Sequence, residues 1–144
     1  MPESPSSDTS PQVPAELFCL VLAAGLSTRF GSSKQLADFR GQPMIAHTMR
    51  LAAEVFGPAS ILGAGNEWAR VTAAAAPLEG YFVDNEQFRR GLGSSIAVGV
   101  SVVGDCATGV MLLMADQPLI ASTYLRQMRD EWNRDRNRIV ASSF

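Results

Sequence analysis

One histidine and two cysteines among 144 residues leave little material for metal-centre or thiol chemistry. Cys19, His47 and Cys106 are widely separated and match neither a disulfide framework nor a zinc-ligand spacing, so reduced thiols in a cytoplasmic protein are the simpler account. Charge is scarce as well. Only 18% of residues are charged and the formal net charge is −2, which gives no basic field for a nucleic-acid backbone. The aromatics are scattered rather than interleaved with cations. No apolar run reaches the roughly 18 residues of a membrane span, and a soluble protein is expected. The first sixteen residues, rich in Pro and Ser, have neither a basic start nor a continuous apolar stretch, so they read as a disordered tail rather than a signal peptide. What is present is a 47% hydrophobic composition, enough for one domain with a sizeable core over residues 17–144. No internal repeat is visible.

The chain is organised around the stretch from Leu20 to Lys34. An apolar run beginning at Leu17 has the Leu and Val content of a strand buried on both faces. It breaks at Gly25 into a small, hydroxyl-rich loop carrying Arg29, Gly31 and Lys34. Small residues let a backbone approach phosphate closely, and successive N–H groups form an anion-binding nest. Arg29 offers a planar fork and Lys34 a point charge. This is either a polyphosphate cradle or an ordinary strand-turn with solvated charges. Known glycine motifs do not fit. The spacing from Gly25 to Gly31 and Lys34 is wrong for a Walker A loop. Gly63-Ala64-Gly65 and Gly91-Leu92-Gly93 put Trp68 and Ile96 where a dinucleotide fingerprint needs its third glycine, and Arg29 stands where a nucleophile elbow would close.

Downstream, Arg40-Gly41-Gln42-Pro43 is expected to turn into a helix over 43–56, with Met44, Thr48, Leu51 and Val55 on one face. His47 falls in it with no acidic partner, which points to a packing or surface role. Residues 59–63 predict a second strand and Glu67 to Ala76 a helix, with Asn66 as its cap. The turn at Gly63–Asn66 either touches a base or ribose or is a plain tight turn. A short strand over 80–83 runs into a polar, glycine-punctuated loop, Asp84–Gly93, of the ligand-facing kind. Ser94 or Ser95 then caps a helix whose Ile96, Val100 and Val103 share a face, a helix start suited to an anion or nucleotide hydroxyls. Residues 109–114 are a second strongly apolar strand ending in Ala115-Asp116-Gln117-Pro118. Asp116 there is either a magnesium ligand alongside substrate phosphates or a solvated turn aspartate. A helix over 122–136 turns Leu125, Met128 and Trp132 toward the core, with Asp130 and Arg134 spaced as a surface pair. A further strand begins at Arg138. Five strands alternating with helices give a parallel, Rossmann-like α/β sheet, with the strands ending at Ala24 and Ala115 as neighbours.

Three ordered motifs carry a family resemblance. Leu22-Ala23-Ala24-Gly25-x-Ser27-x-Arg29-x-Gly31-x-x-Lys34 resembles the signature of the MobA-like nucleotidyltransferases, most closely the molybdenum cofactor cytidylyltransferases. Asn85 followed by Gly91-Leu92-Gly93-Ser94-Ser95-Ile96 and Gly99, and then Met114-Ala115-Asp116-Gln117-Pro118, match two further motifs in order. Phe30 replaces the family's common methionine. The family's domain continues beyond residue 144 with acceptor contacts and more of the metal site, so residues 17–144 are expected to be a C-terminally incomplete domain.

The resemblance implies a three-layer Rossmann-like fold with a mostly parallel central sheet. It implies nucleotide binding by Leu22, Ala23, Ala24, Gly25, Arg29, Lys34, Asn85, Ser94 and Ser95, and catalysis by Arg29, Lys34 and Asp116. Asp116 is the implied ligand for Mg2+, with Mn2+ as the other candidate. The implied reaction moves CMP from CTP to a phosphorylated acceptor, molybdopterin or molybdenum cofactor, with release of pyrophosphate and a molybdoenzyme as recipient. Leu-Ala-Ala-Gly accompanies cytidine use in the family and Leu-Ala-Gly-Gly guanosine use; the methyl of Ala24 would crowd a purine. Transfer to a sugar phosphate or another small phosphorylated alcohol, and a non-catalytic nucleotide-binding module, stay open as alternatives.

Overall fold

A computed structural model of the protein describes residues 16–24, 34–65, 67–75 and 80–142. The expected tail up to residue 15, the loop 25–33 with Gly25 and Arg29, and the expected cap Asn66 lie outside the described residues. The chain runs as β1 (Leu17–Ala23), β2 (Asp38–Phe39), β3 (Gln42–Pro43), α1 (Met44–Phe56), β4 (Ser60–Ala64), α2 (Trp68–Ala75), β5 (Tyr81–Asp84), α3 (Leu92–Val103), β6 (Gly109–Met114) and α4 (Ser122–Arg134).

Four strands form one parallel sheet in the order β5-β4-β1-β6. β1 is central and buried at six of its seven residues, which is why it reads as an unbroken apolar run. Its side chains alternate between two cores. Cys19, Val21 and Ala23 pack with Ile45 and Met49 of α1, Val71 of α2 and Leu125 of α4. Phe18, Leu20 and Leu22 face the opposite layer with Val103 and Ile96 of α3. The result is the expected three-layer α/β sandwich. Burial pushes the Cys19 thiol up to about 12. β4 lies on one side of β1 and β6 on the other, so the chain reverses its winding direction beside β1.

Several local expectations are corrected. Arg40-Gly41 closes a small antiparallel hairpin of β2 and β3, with both residues at positive φ (51° and 84°). Pro43 therefore ends β3 and precedes the helix rather than sitting in its first turn. Of the expected face Met44, Thr48, Leu51 and Val55, only Thr48 is fully buried; the buried face of α1 is Ile45, Ala46, Thr48, Met49 and Ala52. α3 starts at Leu92 after Gly91, whose φ is +102°, so Ser94 and Ser95 lie in the first turn and cap nothing. Its buried face is Ser95, Gly99 and Val103; Val100 is exposed. At Gly99 a Cβ would stand 2.5 Å from Leu20 Cδ2, so the absent side chain lets α3 approach the sheet closely.

Residues 138–142 are not a strand. Arg138 is held to Asp135 at 3.0 Å and Glu131 at 3.5 Å, ion pairs that tie this segment to the end of α4. Residues 138–142 line a groove with Leu17, β6, Met128 and Trp132 without joining the ladder. α4 ends at Arg134, which pairs with Glu131 at 2.6 Å and not with Asp130. His47 bonds the Phe39 carbonyl at 2.8 Å through Nε2 and meets the Phe39 ring edge-on, the expected packing role. No helix among the described residues is long and apolar enough to cross a membrane.

Candidate active site

The carboxyl ends of β1 and β6 are adjacent, with Leu22 paired to Met114. Beyond each end the backbone is still held. Ala115 N donates to Leu22 O at 3.1 Å, which carries the β1–β6 contact one residue past the strand. Asp116 follows at once, in a turn closed by Gln117 N donating to Met114 O at 3.3 Å. On the other strand, Ala23 is fully buried and its carbonyl accepts from Gln35 Nε2 at 2.9 Å. Gln35 belongs to the 3-10 turn Lys34–Leu36, so this bond brings Lys34 back over the strand ends. Lys34 Nζ reaches Asp116 Oδ2 at 3.3 Å, with the two side chains 45% and 38% exposed. The sequence places these residues 82 positions apart; the parallel pairing of β1 with β6 makes them neighbours.

A second wall comes from the segment after β5. Asn85 is 1% exposed, and its N–H donates to Ala64 O at 2.7 Å, past the end of β4. Its side chain is spent within the protein. Nδ2 donates to Ser94 Oγ at 3.0 Å and Ser95 Oγ at 2.9 Å, and Oδ1 accepts from Gln87 N at 3.1 Å. Ser94 Oγ in turn donates toward Gly91 O at 2.7 Å. Asn85 thus brackets the loop 85–91 onto the first turn of α3. Gly65 sits under this bracket, where a Cβ would collide with the Asn85 carbonyl and Phe88.

Between the two walls lies a cleft of about 420 Å³. Leu22, Ala24, Lys34 and Asp116 line one side, and Phe88, Arg89, Leu92 and Ser95 the other. Of the sequence-predicted residues, the structure brings Leu22, Ala24, Lys34, Asp116 and Ser95 together around this space. It puts Ala23 beneath the floor and Asn85 with Ser94 behind the second wall. Gly25 and Arg29 lie outside the described residues. Three contributors went unrecognised in the sequence: Gln35, Arg89 and Thr48. Thr48 is fully buried and its hydroxyl donates to Ala115 O at 3.0 Å. Its signal was a hydroxyl on an otherwise apolar helix face. Arg89 lay inside the polar loop without a feature to set it apart from Arg90.

The cleft combines cations, one carboxylate and a small-residue floor, a donor set for a phosphate-bearing ligand. Among the described residues no three His, Cys, Asp or Glu side chains gather as a preformed metal site. A half-exposed carboxylate at a strand end nevertheless suits Mg2+, which takes one or two carboxylates and completes its shell with substrate phosphates and water.

An open parallel sheet with its cleft outside the carboxyl ends of the strands flanking the reversal is an α/β protein of the kind that takes its ligand there. Residues 19–144 match the model of the MobA-like NTP transferase domain, and the chain belongs to that family. It is 34% identical over 114 residues to the bifunctional protein GlmU of Xanthomonas campestris pv. campestris (strain B100), a match covering 78% of this chain and 25% of GlmU. The chain therefore spans about a quarter of the length of the curated relatives it matches. Rv0371c from Mycobacterium tuberculosis H37Rv has a similar structure at 32% identity and a TM-score of 0.71, over 82% of this chain and 60% of that one. A manganese complex of Rv0371c aligns at 29% identity and a TM-score of 0.64, with the same coverage. CMP:2-keto-3-deoxy-manno-octonic acid synthetase, complexed with CTP, shares the fold at 22% identity and a TM-score of 0.67, over 85% and 49% of the two chains.

Proposed function

We propose that this protein is a nucleotidyltransferase that moves CMP from CTP to the terminal phosphate of molybdopterin or molybdenum cofactor, releasing pyrophosphate in the cytoplasm for delivery to a molybdoenzyme. The observation that carries the reading is the Lys34–Asp116 pair at adjacent strand ends, with Ala24 lining the same cleft. Membership of the MobA-like NTP transferase family supports the reaction class. The manganese complex of Rv0371c supports a divalent ion.

A phosphate oxygen of the acceptor attacks the α-phosphorus of CTP, and the bond from that phosphorus to the bridging oxygen breaks as pyrophosphate leaves. The acceptor is already ionised, so no general base is needed, and positioning with charge stabilisation carries the rate. Lys34, joined by Arg29, holds the β,γ-phosphates and offsets the charge that grows on them. Asp116 would hold Mg2+ or Mn2+, which when bound would supply positive charge to offset the negative charge of the phosphates. Ala24 narrows the floor of the cleft against a purine. The test is pyrophosphate release with Mg2+ across CTP and GTP, with reduced molybdenum cofactor and a panel of sugar phosphates as acceptors. Release with CTP and the cofactor alone supports the full reading. Release only with a sugar phosphate moves the acceptor, and CTP binding without release under any acceptor reduces the protein to a binding module.

A further inference from the structure

We propose that Thr48 and Gln35 are positioning residues of this site, Thr48 acting on Asp116 and Gln35 on Lys34, each through one backbone carbonyl. The inference rests on the nucleotidyltransferase reading for its kinetic consequences, while its geometric content stands apart from it. Both side chains are polar groups more than nine-tenths buried. Thr48 shares its helix face with Ile45, Met49 and Ala52, where an apolar side chain would be the ordinary occupant. Its hydroxyl donates to Ala115 O at 3.0 Å, the shorter of two contacts, the other being Met44 O at 3.3 Å.

The two carbonyls occupy equivalent places. Ala23 is the last residue of β1, and Ala115 follows the last residue of β6. There the regular ladder stops, and a buried carbonyl left without a donor costs about 1–3 kcal/mol. A side chain from α1 takes one and a side chain from the 3-10 turn takes the other. Ala115 is consequently held through both of its flanking peptides, its N–H by Leu22 of β1 and its carbonyl by α1. Asp116 begins at the peptide whose carbonyl Thr48 holds, and Lys34 precedes Gln35. The functional side chains are themselves half-exposed, so their 3.3 Å approach depends on how firmly the backbone beneath each is held.

The two clamps act on different groups, which separates them from a general packing role. Thr48→Val keeps the shape and removes the hydroxyl. It should lower kcat about ten- to a hundredfold with KM for CTP nearly unchanged, because a small displacement of a catalytic group is felt in the chemical step. Thr48→Ser, restoring the hydroxyl, should recover most of that loss. Gln35→Met, which removes the amide that bonds Ala23 O, should raise KM for CTP about tenfold, because it loosens the turn that carries Lys34. Amide exchange followed by NMR gives a second readout that needs no turnover. Thr48→Val should speed exchange at Ala115, and Gln35→Met at Ala37, whose N–H closes the Lys34 turn at 3.1 Å. Unchanged exchange at those two amides overturns the inference. So does a fall in kcat and rise in KM that is the same in both variants and tracks their loss of Tm. A parent protein that never turns over CTP refutes the nucleotidyltransferase reading alone, and the exchange rates still decide the clamps.

Discussion

Replacing Asp116 by Asn separates the proposed chemistry from the fold. The carboxylate is 38% exposed and its partner Lys34 is 45% exposed, at 3.3 Å. An ion pair this open to water is worth at most about 1 kcal/mol, and Asn keeps an oxygen that Lys34 can reach. The backbone around it is held by Thr48 and by Leu22, neither of which the substitution touches. For a domain of this length 1 kcal/mol is roughly 2–4 °C in Tm, so Asp116→Asn should melt within that range of the parent. Turnover should behave otherwise. The substitution removes the one formal negative charge that the described cleft offers to a divalent ion. Losing one preorganised electrostatic contact costs about 10²–10³ in rate, and a loss of that order is expected here. The assay is pyrophosphate release against Mg2+ concentration, with thermal denaturation run on the same preparation. Parent-like activity with a parent-like metal dependence refutes the assignment of Asp116. A fall in Tm well beyond 4 °C refutes the stability reasoning and makes Asp116 a structural residue.

Three more outcomes are expected. Lys34→Ala and Arg29→Lys should each raise KM for CTP and lower kcat together, Arg29→Lys failing to be conservative because an ammonium has no fork; CTP titration calorimetry showing parent-like affinity in both would mean that the triphosphate lies elsewhere. Ala24→Gly should narrow the preference for CTP over GTP in competition assays, since it removes the methyl that lines the cleft, and a parent that already prefers GTP would overturn the steric argument. Gly99→Ala should destabilise the protein by about 1–3 kcal/mol in urea unfolding, because its Cβ would stand 2.5 Å and 2.6 Å from the two methyls of fully buried Leu20; an unchanged midpoint would show that α3 can back away from the sheet freely.

The layered sheet was legible because burial writes itself into composition. β1 is buried nearly throughout and reads as an unbroken apolar run, and the strands expected from 59, 80 and 109 start at Ser60, Tyr81 and Gly109. The helix faces were less legible. On α1 the periodic set beginning at Met44 competes with the set beginning at Ile45, since both are largely apolar and Thr48 lies between them. The sheet decides between them by presenting Cys19, Val21 and Ala23 to Ile45 and Met49. On α3 the large side chains at Ile96 and Val100 drew attention, yet the buried line passes through Ser95 and Gly99. Close approach to Leu20 selects small residues, and hydrophobicity does not register smallness. The segment after Arg138 shows the opposite failure. Its β-branched residues have strand propensity, but propensity forms no strand without a ladder, and the ion pairs of Arg138 hold the segment to α4 instead.

The site divides along the same physical line. Lys34 and Asp116 could be paired from sequence because each follows an apolar strand, and neighbouring strands of a parallel sheet put their carboxyl ends on one rim. What could not be read was how the rim is held. Thr48 reaches a carbonyl 67 positions away and Gln35 one 12 positions away, and a side-chain bond to a distant backbone group leaves no pattern in the chain. Asn85, Ser94 and Ser95 make the complementary case. Their positions carried a family motif, which the resemblance ties to nucleotide binding, while the structure spends the Asn85 amide on both serine hydroxyls and on Gln87 N. Only Ser95 of the three lines the cleft. Asn85 and Ser94 thus serve the cleft by bracing its second wall, because a cleft needs the span between its walls set as firmly as the groups on them.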